Sequence, residues 1–228
     1  MGLDIYVGSL SRYLVGDWEL LAQQAAREMG MRVNVVRPAD PQGAIRDAAR
    51  LQPIVEHWRD CVSRSLQANL DEPLDWDESA GGPYFTDRPD WDSYSSLLLF
   101  AAREEQPQCG GPRATAEPWQ NDPAYRASIA EGFPSRYSHL LAPRLWLPCD
   151  FPFVFDCEFV TGSALVAGSS AALCRQLDDL NSRTWQAGAA TQKLWRFDAE
   201  RGEKFGFAIV RKLAGESVAR RLPMLLDY

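Results

Sequence analysis

Residues 153–160 alternate in a way that fixes part of the fold before anything else is considered. Phe153, Phe155, Cys157 and Phe159 interleave with Val154, Asp156, Glu158 and Val160, the two-residue period of a strand with one face turned inward. Thr161-Gly162-Ser163 then supplies a turn, and 164–167 returns as a second strand, so the segment predicts a β-hairpin. Ser169 or Ser170 follows as a helix N-cap, with Leu173, Leu177 and Leu180 at helical spacing. A further helix is expected over 203–222, stopped by Pro223.

The start of the chain carries the same two periods. Residues 3–7 are rich in β-formers and read as a strand ending at Gly8. Asp17 offers a cap for a helix whose inner face would carry Trp18, Leu21, Ala22, Ala25 and Met29, closed by Gly30. Alternation over 31–36 then predicts a second strand, making a β-α-β opening with two parallel neighbours. Asp40-Pro41 is a cap and first-turn proline, and Pro53 interrupts or kinks the helix it begins. From Ile54 the positions 54, 55, 58, 61, 62, 66 and 70 trace one apolar helical face.

Between 71 and 120 the chain holds Pro73, Pro83, Pro89, Pro107, Pro112 and Pro118 and the pairs Gly81-Gly82 and Gly110-Gly111. That density predicts an irregular excursion, interrupted by one helix over 91–105 with Tyr94, Leu97, Leu98 and Ala101 on a common face. The sum is a single helix-rich domain over 1–228, of the α+β class with α/β as the alternative.

Composition enters as a set of exclusions. With 228 residues, 46% apolar and 24% charged, the chain is long enough for a buried core and unlike a disordered or fibrous sequence. Five cysteines at 61, 109, 149, 157 and 174, without a C-x-x-C pair, argue for reduced thiols and against a structural metal site. The longest apolar run, 97–102, is too short to cross a bilayer, and no sorting signal opens the chain, so a cytoplasmic protein is expected. The net charge of −7 disfavours nucleic acid or an anionic membrane as partner. Residues 71–92 hold eight acids and one base, so the whole excess sits there.

That stretch is the leading candidate site: Asp75, Trp76, Asp77, Glu78, Asp87, Asp90, Trp91 and Asp92. Carboxylates beside aromatic faces suit a cation, because charge attraction and cation–π contact act together. The expectation is a binding protein for a basic protein or cationic small molecule, with no cofactor and no metal. The alternative is a hydrolase using Asp156 and Glu158, which share one face of the predicted strand. His57, with Cys61 one turn on, and His139 are the only histidines, and neither sits in a nucleophile motif. Gly8-Ser9-Leu10-Ser11 is not a phosphate-binding loop.

The opening Met-Gly-Leu-Asp-Ile-Tyr-Val-Gly-Ser-Leu-Ser-Arg-Tyr and the ending Leu-Pro-Met-Leu-Leu-Asp-Tyr resemble those of a family of uncharacterised bacterial proteins without an established activity. The resemblance implies a bacterial, cytoplasmic protein. Arg12, Tyr13, Asp227 and Tyr228 lie in the resembling segments, and no catalytic role comes with them.

Overall fold

The computed structural model describes residues 3–31, 47–79, 81–109 and 118–228. Its centre is one six-stranded mixed sheet built from β1 (Asp4–Val7), β2 (Phe85–Asp87), β3 (Leu145–Leu147), β4 (Phe155–Glu158), β5 (Ala164–Ser169) and β6 (Met224–Asp227), in the order β2-β1-β6-β3-β5-β4. Only β3 and β5 run parallel; the other neighbours are antiparallel. The fold is therefore α+β, and the hairpin expected from the alternation is the β4–β5 pair, with Asp156 opposite Val166.

Helices cover both faces. On one side lie α4 (Trp91–Glu105), α5 (Pro123–Ser128), α6 (Ser138–Leu141), α7 (Ser170–Arg183), α8 (Ala189–Trp195) and α9 (Glu203–Arg220), packed around Leu97, Leu98, Trp146, Leu173, Leu177, Phe207 and Leu213. On the other side α1 (Leu10–Val15) and α3 (Ala48–Leu66) join the segment around Leu74 and Trp76 over Leu145, Leu147, Ala167 and Leu225. A short helix, α2 (Leu21–Glu28), follows α1. All four residues of β1 are buried, as a strand flanked on both faces requires.

The caps act where the sequence puts them. Asp90 accepts from the Ser93 amide at the start of α4, and Ser169 accepts from the Ala172 amide at the start of α7. Helices α4 and α9 cross closely at Gly206, where a Cβ would come within 2.6 Å of the Ser93 carbonyl.

The structure differs from the sequence expectations at several elements, and part of what they cover lies outside the described residues. Ahead of the helix expected from Asp17 to Gly30 stands a separate one, α1, which Gly16, at φ 66°, closes on the Arg12 and Tyr13 carbonyls, and the expected helix itself runs only over Leu21–Glu28. Asp17 pairs with Arg12 instead of capping, and α2 begins after Leu20, whose amide donates to the Gln23 side chain. The second strand of the β-α-β opening lies, from residue 32, outside the described residues, as does the helix start at Asp40-Pro41; both edges of β1 are taken by antiparallel strands. Helix α3 continues through Pro53 from an Asp47 cap, and on its apolar face Val55 is buried while Ile54 is 46% exposed. Finally, residues 224–227, which follow the Pro223 stop, form β6 in the middle of the sheet.

Candidate functional site

Folding divides the acidic stretch. Asp75 is exposed but paired with Arg59 at 3.3 Å and Arg221 at 2.9 Å. Trp76 and Glu78 are buried. Glu78 accepts from the Leu10 amide (2.9 Å), the Ser11 amide (3.0 Å), the Ser11 hydroxyl (3.0 Å) and the Trp76 indole (2.6 Å). Burial nevertheless raises its carboxyl above the ordinary range, against those four bonds. Asp77 closes a turn on the Ser79 amide. Asp87 is buried and meets Arg196 at 2.8 Å and Lys212 at 3.2 Å. Asp90 caps α4, Trp91 packs edge-on against Tyr228 at 4.9 Å, and Asp92 is exposed. The eight candidate residues are therefore not all presented on one surface: Glu78 points to α1 and Asp87 to α9. Trp76, Glu78 and Asp87 are buried and bonded within the fold.

Asp156 and Glu158 sit on β4, the edge strand, and both are exposed, while Phe155 and Cys157, which alternate with them, are half-buried. Charge there discourages another strand from pairing. His57 and Cys61 approach to 3.6 Å on α3, with Arg64 3.2 Å from the sulfur. Among the described residues no group of three or more His, Cys, Asp or Glu side chains is placed to hold a metal ion.

The structure instead assembles a carboxylate pair from the two ends of the chain. Asp4 on β1 lies directly opposite Asp227 on β6, so both side chains leave the same face, with Cα atoms about 4.5 to 5.5 Å apart by antiparallel geometry. Asp4 is only 6% exposed, and its Oδ1 has no hydrogen-bond partner. Burial is the main cause that raises its carboxyl above the ordinary range; Arg88 opposes the rise and Asp227 adds to it. The Tyr13 hydroxyl donates to Asp227 Oδ1 at 2.6 Å, which orients that carboxylate.

Helix α1 brings Tyr13 to this place. It is docked on the sheet by the Glu78 bonds to its first turn, a charge-assisted anchor in a buried setting. Around the pair stands an aromatic cluster: Tyr6 lies 5.4 Å from Tyr13, 5.1 Å from Trp18 and 6.3 Å from Tyr84, and Arg12 caps Tyr84 at 4.7 Å. Tyr6 donates to the Ser9 carbonyl, and burial pushes its phenol further up, so it stays neutral. Its ring folds back over Gly8, where a Cβ would lie 2.5 Å from Cζ.

Two neighbouring carboxylates of which one is buried do not both ionise readily, so a raised Asp4 carboxyl beside an oriented Asp227 is an arrangement suited to acid–base chemistry. Sequence reading missed the pair because Asp4 and Asp227 are 223 positions apart and the strand containing the second was not expected. No family model, curated protein or solved structure matches the chain.

Proposed function

We propose that this chain is a hydrolase whose acid–base pair is Asp4 and Asp227. The observation that supports it most is the buried, unpartnered Asp4 oxygen directly across the ladder from a carboxylate fixed by Tyr13. A buried carboxyl with a raised pKa keeps its proton to higher pH than a free one and can donate it, and its opposite number, held in place, serves as base or nucleophile. The roles that sequence reading offered to Asp156 and Glu158 pass to this pair. Screening chromogenic glycosides, esters and phosphates tests the proposal: Asp4→Asn and Asp227→Asn should each lower turnover by about a hundredfold or more, and Asp156→Asn with Glu158→Gln should not. No turnover across the panel, or turnover indifferent to both Asn substitutions, overturns it.

A second reading keeps the cationic ligand and moves it to a cleft of about 650 Å³ between α3 and residues 70–74. Asp60, Asp71 and Glu72 line it together with Leu70, Leu74, His57 and Arg64. A cleft lined by both carboxylates and leucines suits an amphipathic amine. Saturable binding of spermidine, lost in Asp71→Asn with Glu72→Gln, is the expected result.

A further inference from the structure

One flank of α3 sets a thiol between an imidazole and a guanidinium. Val55, Trp58, Val62 and Leu66 belong to or pack against the apolar cluster beneath the helix, and Cys61, beside them, is half-buried. Its Sγ lies 3.6 Å from His57 Nε2 and accepts from a terminal nitrogen of Arg64 at 3.2 Å. The three residues are spaced by four and three positions, which brings side chains together on one side of a helix. The guanidinium is fixed by a second bond, from Arg64 Nε to the Asp60 carbonyl at 3.2 Å, and among the described residues it closes no ion pair with a carboxylate. His57 and Arg64 are both exposed.

The other four thiols are placed differently. Cys109 and Cys174 pack against the apolar cluster around α4 and α9, and Cys149 and Cys157 against the one beneath α3. Burial is the main cause that raises the thiols of Cys149 and Cys174 above their ordinary value and pushes Cys157 up to about 11. Among the described residues Cys61 packs against neither cluster. The thiolate is the nucleophilic form, and at Cys61 it arises against a guanidinium instead of in an apolar setting.

His57 and Arg64 also line the cleft of about 650 Å³ between α3 and residues 70–74, together with Asp60, Asp71 and Glu72. Its far wall is fastened to α3 by the Leu74 amide, which donates to the Ser63 hydroxyl at 3.0 Å. Asp60 shares its charge with Arg59 at 3.4 Å, whereas Asp71 and Glu72 are exposed. The two groups that touch the sulfur therefore face a space lined by carboxylates.

We propose that Cys61 is a modification site for low-molecular-weight disulfides that carry an ammonium group and enter this cleft. The inference rests on the cationic cleft of the second reading and adds a covalent step to it. His57, in the tautomer with its proton on Nδ1, accepts the thiol proton at Nε2. The Cys61 sulfur attacks one sulfur of the disulfide, a new S–S bond joins that half of the reagent to the chain, and the old S–S bond breaks. The other half leaves as a thiolate and takes the proton back from His57, so the disulfide is the only oxidant consumed. Asp71 and Glu72 attract the ammonium group and raise the local concentration of a cationic disulfide over that of an anionic one.

The reduced full chain is treated with cystamine, with the neutral hydroxyethyl disulfide and with the anionic dithiodiglycolate, and mass spectrometry of digests reads which cysteine is modified and how fast. Cys61 should be labelled first by cystamine and by the neutral reagent, and cystamine should react there about tenfold faster than dithiodiglycolate. Asp71→Asn with Glu72→Gln should remove that order. His57→Gln and Arg64→Gln should each slow the neutral reagent at Cys61 by about tenfold. Labelling of another cysteine ahead of Cys61 by the neutral reagent, or rates indifferent to both of those substitutions, overturns the proposal, and equal rates for the cationic and anionic reagents overturn its class of ligand. Spermidine binding reads the second reading separately, because Cys61→Ser removes the thiol and should leave that binding unchanged.

Discussion

The Tyr13 hydroxyl lies 2.6 Å from Asp227 Oδ1, so a residue of the first helix fixes the orientation of a carboxylate on the last strand. The bond joins positions 214 apart and bears directly on how Asp227 faces Asp4. Tyr13→Phe removes the donor and keeps the ring against Tyr6 and Trp18. The expected loss of stability is about 1 to 2 kcal/mol, the range for a hydrogen bond to a charged group that is partly solvated. Chemical denaturation measures it, and a variant as stable as the unchanged chain would mean that the bond holds nothing in place.

The Asp4 carboxyl gives a pH signature with a definite sign. Its folded-state pKa is raised by burial, so the folded chain binds that proton more tightly than the unfolded chain does. The stability associated with it is complete below the ordinary carboxylate value and is lost as pH rises through the raised one. Asp4→Asn removes the titration, so near pH 7 the variant should be the more stable, with the difference shrinking as pH falls into the ordinary carboxylate range. Denaturant midpoints of both proteins across that range check it. A flat difference would show that Asp4 does not hold a proton in the folded state.

Within the acidic stretch, Asp87 and Asp92 should behave oppositely. Asp87 receives Arg196, Lys212 and the Arg88 amide, and its side chain is 10% exposed while the two cations are about a third exposed. Asp87→Ala strands two cations that water can still partly reach, so a cost of about 2 to 3 kcal/mol is expected, below that of a fully enclosed pair. Asp92→Asn changes an exposed group in the first turn of α4 and should move stability by less than about 0.5 kcal/mol. Equal effects at the two positions, read from urea titrations, would contradict the division of the stretch by the sheet edge.

What could be read beforehand follows the range of the interactions involved. Helix α4 is legible at both ends because Asp90 caps it locally and Leu97, Leu98 and Ala101 repeat within it; the β4–β5 hairpin is legible because the Thr161-Gly162-Ser163 turn sits between its strands. Both are short-range signals. Strand β6 is four residues after a proline, and nothing local separates such a segment from a tail, since its partners β1 and β3 come from elsewhere in the chain. The site shares that fate. Charge density along 71–92 is a property of the sequence, whereas the Asp4–Asp227 pair is a property of the strand order, and burial by distant elements decides which carboxylates carry a raised pKa.

Two glycines separate a requirement of the site from one of the core. At Gly8 a Cβ would overlap the Tyr6 hydroxyl, and at Gly206 it would come within 2.6 Å of the Ser93 carbonyl. The first obstacle is a ring, which can turn away; the second is the backbone of α4, which cannot move without opening the α4–α9 contact. Gly206→Ala should therefore cost about 1 to 3 kcal/mol of stability, the range for an overpacked interior, and leave the raised carboxyl of Asp4 unchanged, because Asp4 is on the other face. Gly8→Ala should displace the Tyr6 ring from Tyr13, Trp18 and Tyr84 and so alter the surroundings of Asp4. Carbon-13 chemical shifts of the Asp4 carboxyl across a pH titration, recorded for both variants, separate the outcomes: a midpoint that moves in Gly8→Ala and holds in Gly206→Ala ties the aromatic cluster to the carboxylate pair. A midpoint that moves in neither would leave the cluster as packing alone.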